Sequence, residues 1–215
     1  MWGVLLADDF YCVAYDDRTG RSRLHPRVLG FGLAGALLGE LVLFGRVTID
    51  CGILTIIDRR PPSDPLAHAT LAHVTTYVQH RDVRTWLAFL ARTAPDAVVR
   101  RLVTGRVLGR EEHRRLGLRR VSYLPADVNA KNAMAWRPVR LAGRLKSPER
   151  LDVPDAMLAG LVGVTGLTGV VLWQPELRNA GTTALSKAVA GLPPPLHNLL
   201  AHVEAAVGDT VLAPH

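Results

Sequence analysis

From Ala156 to Trp173 the chain runs for 18 residues without a charged side chain, and any fold it adopts must find a place for that segment. About eighteen apolar residues suffice to span a bilayer. Glycines at 160, 163, 166 and 169 lower its hydrophobicity, however, and the flanking charges, Asp152, Asp155 and Glu176, supply no basic anchor. The segment therefore reads as a helix buried on all sides in a domain core. A second apolar stretch, Val28 to Phe44, is stopped by Gly45 and carries one interior charge, Glu40. With 215 residues, 48% of them hydrophobic, the chain can wrap such segments in one continuous core. A single domain over residues 1–215 is the expectation.

The remaining pattern is mainly helical. Helices are predicted over Trp2–Ala14, Pro65–His80, Val83–Ala91, Asp127–Leu145, Pro154–Trp173, Glu176–Val189 and Pro195–Val207, with another beginning after Thr93, whose hydroxyl pairs with Asp96 as a cap. Two β-branched runs, Arg46–Asp50 and Ile53–Ile57, flank Cys51-Gly52 and predict a two-residue hairpin. Arg59 to Pro65 is a loop. A second, basic hairpin is expected between Val107 and Leu124, protruding over residues 106–126. The fold class is thus mainly α: one globular helical domain with a central apolar helix and one or two short β-hairpins.

Charge narrows the partners. Twenty-six Lys and Arg stand against 19 Asp and Glu, so the surface attracts polyanions: nucleic acid, acidic lipid or acidic protein. Aromatic residues make up only 6%, too few for the ring platforms on which single-stranded nucleic acid stacks. Cys12 and Cys51 are the only cysteines; they read as buried thiols in a reducing compartment. The start, MWGVLLADDFYC, has no basic leader and meets Asp8 and Asp9 early, unlike a secretory signal. A cytoplasmic location is expected.

The chemical motifs are negative. Gly30-Phe31-Gly32-Leu33-Ala34-Gly35 spells a dinucleotide fingerprint, with Asp50 at the spacing of a ribose-binding acid. The fingerprint needs a buried strand before its first glycine, and Arg21 to Arg27 cannot be one; close helix packing is the better use of these glycines. Eight scattered histidines form no metal-binding helix face. Neither a nucleophile elbow nor a phosphate loop is present. No catalytic residue, cofactor or metal is expected, and the chain does not read as an enzyme.

Eight arginines, Arg100, Arg101, Arg106, Arg110, Arg114, Arg115, Arg119 and Arg120, fall within 21 residues. Guanidinium forks pair bidentately with phosphate. Lys131, Arg137, Arg140, Arg144, Lys146 and Arg150 follow as a second basic group. At roughly 1 kcal/mol per basic residue near an anionic leaflet, a few contacts suffice for reversible attachment.

Several blocks resemble the Golgi phosphoprotein 3 and vacuolar protein sorting 74 family (the 34 kDa Golgi phosphoprotein domain), particularly its actinobacterial members. They are Leu5-Leu6-Ala7-Asp8-Asp9 through Asp16-Asp17-Arg18-Thr19-Gly20, then Gly32 to Leu41, and Gly45-Arg46-Val47-Thr48-Ile49-Asp50. Val83 to Leu87 and Leu102 to Leu108 follow in order. The resemblance implies a mainly helical domain with a protruding hairpin, peripheral attachment to membranes, and recognition of phosphatidylinositol 4-phosphate by one tryptophan and several arginines. Carried over residue by residue, the tryptophan falls at His25 and the first arginine at Ala34; of the other two, Arg92 is the nearest match to one and Pro95 occupies the other. The implied head-group site is therefore Arg23, His25, Arg27 and Arg92, and the implied membrane-facing hairpin carries Arg106, Arg110, Arg114, Arg115, Arg119 and Arg120.

The leading expectation is a peripheral adaptor on the inner face of a membrane, binding anionic phospholipid, with membrane-protein tails and a second copy of the chain through the hairpin as further partners. Two alternatives remain. A helix followed by the hairpin from Val47 to Ile57 resembles a winged helix, although Val28 to Phe44 is too apolar to read a groove and nucleic acid is not the expected partner. A scaffold for acidic protein tails, without lipid, fits the same charge.

Overall fold

The computed structural model describes residues 5–115, 118–147, 151–173 and 175–212. Among these residues there are ten helices and two antiparallel two-stranded sheets, a mainly α domain as expected. In chain order they are α1 (Leu6–Ala14), α2 (Pro26–Leu43), β1 (Val47–Asp50), β2 (Ile53–Ile56), α3 (Pro65–Thr76), α4 (Val83–Ala91), α5 (Ala94–Thr104), β3 (Leu108–Arg115), β4 (Leu118–Pro125), α6 (Val128–Arg144), α7 (Val153–Val164), α8 (Thr168–Val171), α9 (Pro175–Ala190) and α10 (Pro194–Leu212).

The apolar stretch after Arg27 becomes α2, which touches α1, α3, α4, α5, α7 and α10 and is the axis of the core. It is long and apolar enough to cross a membrane, but 72% of it is buried inside the domain. The same burial removes the winged-helix reading, because the helix before the first hairpin has no free face to offer a groove. Its glycines sit at close helix crossings: a Cβ on Gly30 would lie 2.5 Å from the Ala91 carbonyl oxygen, and one on Gly35 2.6 Å from Val203.

Glu40, the lone charge of α2, is 1% exposed. It accepts the Ala7 amide at 2.8 Å and two bonds from Arg101 at 3.0 and 3.1 Å. Arg101 also reaches Asp8 at 2.8 Å and Asp64 at 3.1 Å. Burial pushes the Glu40 and Asp8 carboxyls above their ordinary range, while the guanidinium pulls them back. Arg101, counted above with the basic surface cluster, is instead an internal counter-ion, its side chain 10% exposed. Three of the second basic group are also structural, while Lys131 and Lys146 are exposed and Arg150 lies outside the described residues. Arg137 pairs with buried Asp9, and Arg140 and Arg144 pair with buried Asp155; Arg144 also holds Asp152 at 2.9 Å.

Other expectations are corrected. The charge-free segment 156–173 is not one helix: α7 ends at Val164, Gly166 takes φ +80°, and α8 is a separate short turn. Trp173 is exposed. The Thr93 hydroxyl makes no capping bond, although α5 does begin there. The helix expected over Pro65–His80 stops at Thr76. Cys51 is exposed, and only Cys12 is buried. Cys51 and Gly52 form the expected tight turn with φ of 46° and 77°, positive at both centres as the twist of a two-residue hairpin requires.

Candidate functional site

The expected head-group residues lie on the segment entering α2 and at the junction of α4 with α5. Asp16 organises the entry. Its carboxylate accepts from the Arg18 and Thr19 amides at 3.1 and 2.9 Å and from the Thr19 hydroxyl at 3.1 Å; the Thr19 amide leads in holding its pKa below the ordinary value. Tyr15 and Ser22 form an antiparallel bridge that closes the loop. Gly20, at φ +61°, lies so close to β4 that a Cβ would meet the Tyr123 carbonyl oxygen at 2.6 Å. The entry loop is thereby fastened to the basic hairpin.

Arg23 bonds Asp16 at 3.1 Å and the Tyr15 carbonyl at 3.3 Å, so part of its donor set is used within the loop. His25 is the N-cap of α2, its Nδ1 accepting the Arg27 amide at 3.4 Å. Acceptance at Nδ1 assigns the proton of the neutral ring to Nε2, leaving an N–H donor for an outside partner. Pro26 starts the helix with its φ preset, and no acid occupies the first turn. The positive end of the α2 dipole is therefore uncompensated by a side chain.

Arg27 and Arg92 are exposed, and neither has an ion pair or side-chain hydrogen bond among the described residues. The Gly30 to Ala91 crossing sets the first turns of α2 beside the end of α4, where Arg92 is the C-cap. Two exposed arginines without a side-chain partner among the described residues thus belong to segments that meet near an acid-free helix start, an arrangement suited to a phosphate monoester or other compact anion. Asp96, in the first turn of α5, is the nearby acid; with burial it raises the Tyr15 hydroxyl. Ala34, at the family's arginine position, is fully buried in α2 and offers an anion nothing.

The second hairpin lies within the expected bounds, with eight residues in each strand. Leu108 pairs with Pro125, Arg110 with Tyr123, His113 with Arg120 and Arg114 with Arg119. Arg106, at φ +57°, turns the chain from α5 into β3 and is exposed. Arg110 pairs with Glu112 at 2.9 Å. The side chains of Arg114, Arg115, Arg119 and Arg120 lie outside the described residues, leaving their backbone register alone in view.

The Asp16 to Gly20 block was visible in the sequence, but not its role in holding the site, nor the Gly30 to Ala91 crossing. Asp16, Gly20 and the Gly30 to Ala91 crossing place the arginines without touching a ligand; the Asp-x-x-x-Gly spacing was the available signal for the first two. Among the described residues no group of three or more His, Cys, Asp and Glu converges to hold a metal. A separate cavity of about 150 Å³ lies on the first hairpin, lined by Leu54, Ile56, Val74 and Val78 with Arg59 and Arg81.

No curated protein matches the chain. The family model described as Golgi phosphoprotein 3 (GPP34) matches residues 6–206, a span that includes the entry loop, both hairpins and all four head-group candidates. This is a family of non-enzymatic adaptors. The apolar core helix, the second hairpin and that near-complete match converge, and the chain belongs to the Golgi phosphoprotein 3 family.

Proposed function

We propose that this chain is a peripheral membrane adaptor that binds anionic phospholipid head groups at the amino-terminal end of α2, with the basic hairpin facing the same bilayer. The observation that carries the reading is the pair of uncompensated cations, Arg27 and Arg92, held at an acid-free helix start by the Gly30 to Ala91 crossing. Family membership supports phosphatidylinositol 4-phosphate as the head group. With His25 at the tryptophan position, the Nε2–H donor replaces a ring that would insert among lipids. With Ala34 and Pro95 at arginine positions, two charges are lost, so selectivity among phosphorylated inositol lipids is expected to be shallow.

Liposome co-sedimentation tests this. Vesicles containing phosphatidylinositol 4-phosphate should bind the wild type more tightly than vesicles containing phosphatidylglycerol or phosphatidylinositol, and neutral vesicles least. Arg27→Ala and Arg92→Ala should each weaken binding to the phosphorylated lipid by about tenfold or more, since one charge-assisted hydrogen bond contributes roughly 1.5–3 kcal/mol. Raised salt should weaken all anionic binding. Equal binding to every anionic lipid, unchanged in both variants, would show that diffuse charge acts without a pocket.

A further inference from the structure

Among the described residues, the outer face of α6 has the wrong chemistry for a helix that merely meets water. The inner side is fully used: Met134, Leu141 and Ala142 enter the core, while Arg137, Arg140 and Arg144 turn to Asp9 and Asp155. On the opposite side Val128, Trp136 and Val139 stand 72%, 62% and 44% exposed. Their spacing places them on one stripe of the helix, with exposed Asn132, Ala135 and Gly143 between them. α8 packs against α6, and Trp173, just beyond it, is 61% exposed.

The charges on this face have one sign. Exposed Lys131 and Lys146 flank the stripe, and α6 from Val128 to Arg144 contains no acid; its cap, Asp127, is occupied by the Ala130 amide at 2.7 Å. Tryptophan is favoured where an apolar body meets a polar boundary, and lysines flanking an apolar stripe extend their ammonium groups toward head groups.

We propose that the outer face of α6, centred on Trp136, lies against an anionic phospholipid surface as a contact distinct from the arginine site, with Trp173, beyond the α8 turn that packs on α6, as a second exposed ring. The proposal rests on the membrane reading given above. The stripe begins three residues after β4 ends at Pro125, so it is continuous with the foot of the hairpin. A second copy of the chain fits less well, because two-fold pairing of this face would bring lysine toward lysine with no carboxylate on α6 to answer them.

The test uses the full chain with vesicles of phosphatidylcholine alone or mixed with phosphatidylglycerol, some carrying brominated acyl chains that quench tryptophan. The fluorescence lost on changing Trp136→Ser should be bromine-sensitive, with any quenching that remains in the variant assigned to Trp173. The variant should partition onto mixed vesicles about tenfold more weakly, as expected for losing one partly buried ring. Lys131→Glu should weaken binding at low salt and converge with the wild type at high salt. Both side chains are exposed, so thermal melts should be unchanged and misfolding is checked directly.

Binding by the wild type that is unquenched at Trp136 and unaltered in Trp136→Ser would overturn the proposal and leave the arginine site standing. Self-association abolished by Trp136→Ser, without vesicle quenching, would overturn it in favour of a second copy. Quenching at Trp136 with undiminished binding by Arg27→Ala and Arg92→Ala would uphold the α6 contact and remove the head-group site instead. Failure of the wild type to bind any anionic vesicle would end both.

Discussion

Arg101 shows how far residue type alone misleads about role. Its neighbours make it one of eight arginines in a basic run, yet it sits on the face of α5 that also carries Ala94, Val98 and Leu102, all buried. That helical spacing was legible in the sequence; what it faced was not, because Asp8, Glu40 and Asp64 come from α1, α2 and the cap of α3. Removing the guanidinium leaves carboxylates packed in a dry site. Arg101→Ala should destabilise the fold by about 3–5 kcal/mol, measured by urea unfolding. Arg100→Ala, one residue away and exposed, should shift it by no more than about 0.5 kcal/mol. Equal effects in the two variants would remove Arg101 from the core.

At the scale of elements, the two apolar segments had different fates. α2 was legible from end to end because one acid in a long apolar run, stopped by glycine, admits little but a buried helix. The segment 156–173 looked as continuous, with glycines every third position giving no hint of which would break it. Tertiary packing chose Gly166, whose φ of +80° lets the chain leave α7 and start α8. A Cβ there would meet nothing within 4 Å, so Gly166→Ala tests conformation alone. It should cost about 1–2 kcal/mol in chemical denaturation, whereas Gly163→Ala, in the regular helix with equally open space, should be neutral or slightly stabilising. Of the candidate site, only His25 and Arg92 were legible from the family's positions, with Arg23 and Arg27 added as the neighbouring cations. The loop geometry that fixes their positions arises from contacts between Gly20 and β4 and between Gly30 and α4, which no local pattern encodes.

For the whole molecule, acid stability follows from the carboxylates held below their ordinary range. Burial raises Asp152, but the Asp155 amide and the Arg144 guanidinium outweigh it; at Asp82 the Thr85 hydroxyl and amide likewise overcome desolvation. A carboxylate with a depressed folded pKa binds fewer protons than the unfolded chain does, so its contribution is present above the ordinary value of 3.8 and is lost as pH falls through the folded value. Asp82→Asn keeps a capping side chain but removes the charge. Its stability should fall below that of the wild type at neutral pH, and the gap should close below about pH 3.8 in urea titrations. A gap independent of pH would mean that Asp82 acts through shape alone.

The ion cluster around Arg101 also dictates an order of assembly. Its three carboxylates belong to the first third of the chain, and their cation arrives only with α5. Until residue 101 leaves the ribosome, a collapse of α1, α2 and α3 onto one another would trap Asp8, Glu40 and Asp64 together with no counter-charge. Docking of α5 is therefore expected to favour the packing of α1, α2 and α3 on one another. In the full chain, Arg101→Ala should slow refolding relative to Arg100→Ala in stopped-flow measurements if the cluster forms early, and should mainly speed unfolding if it forms late.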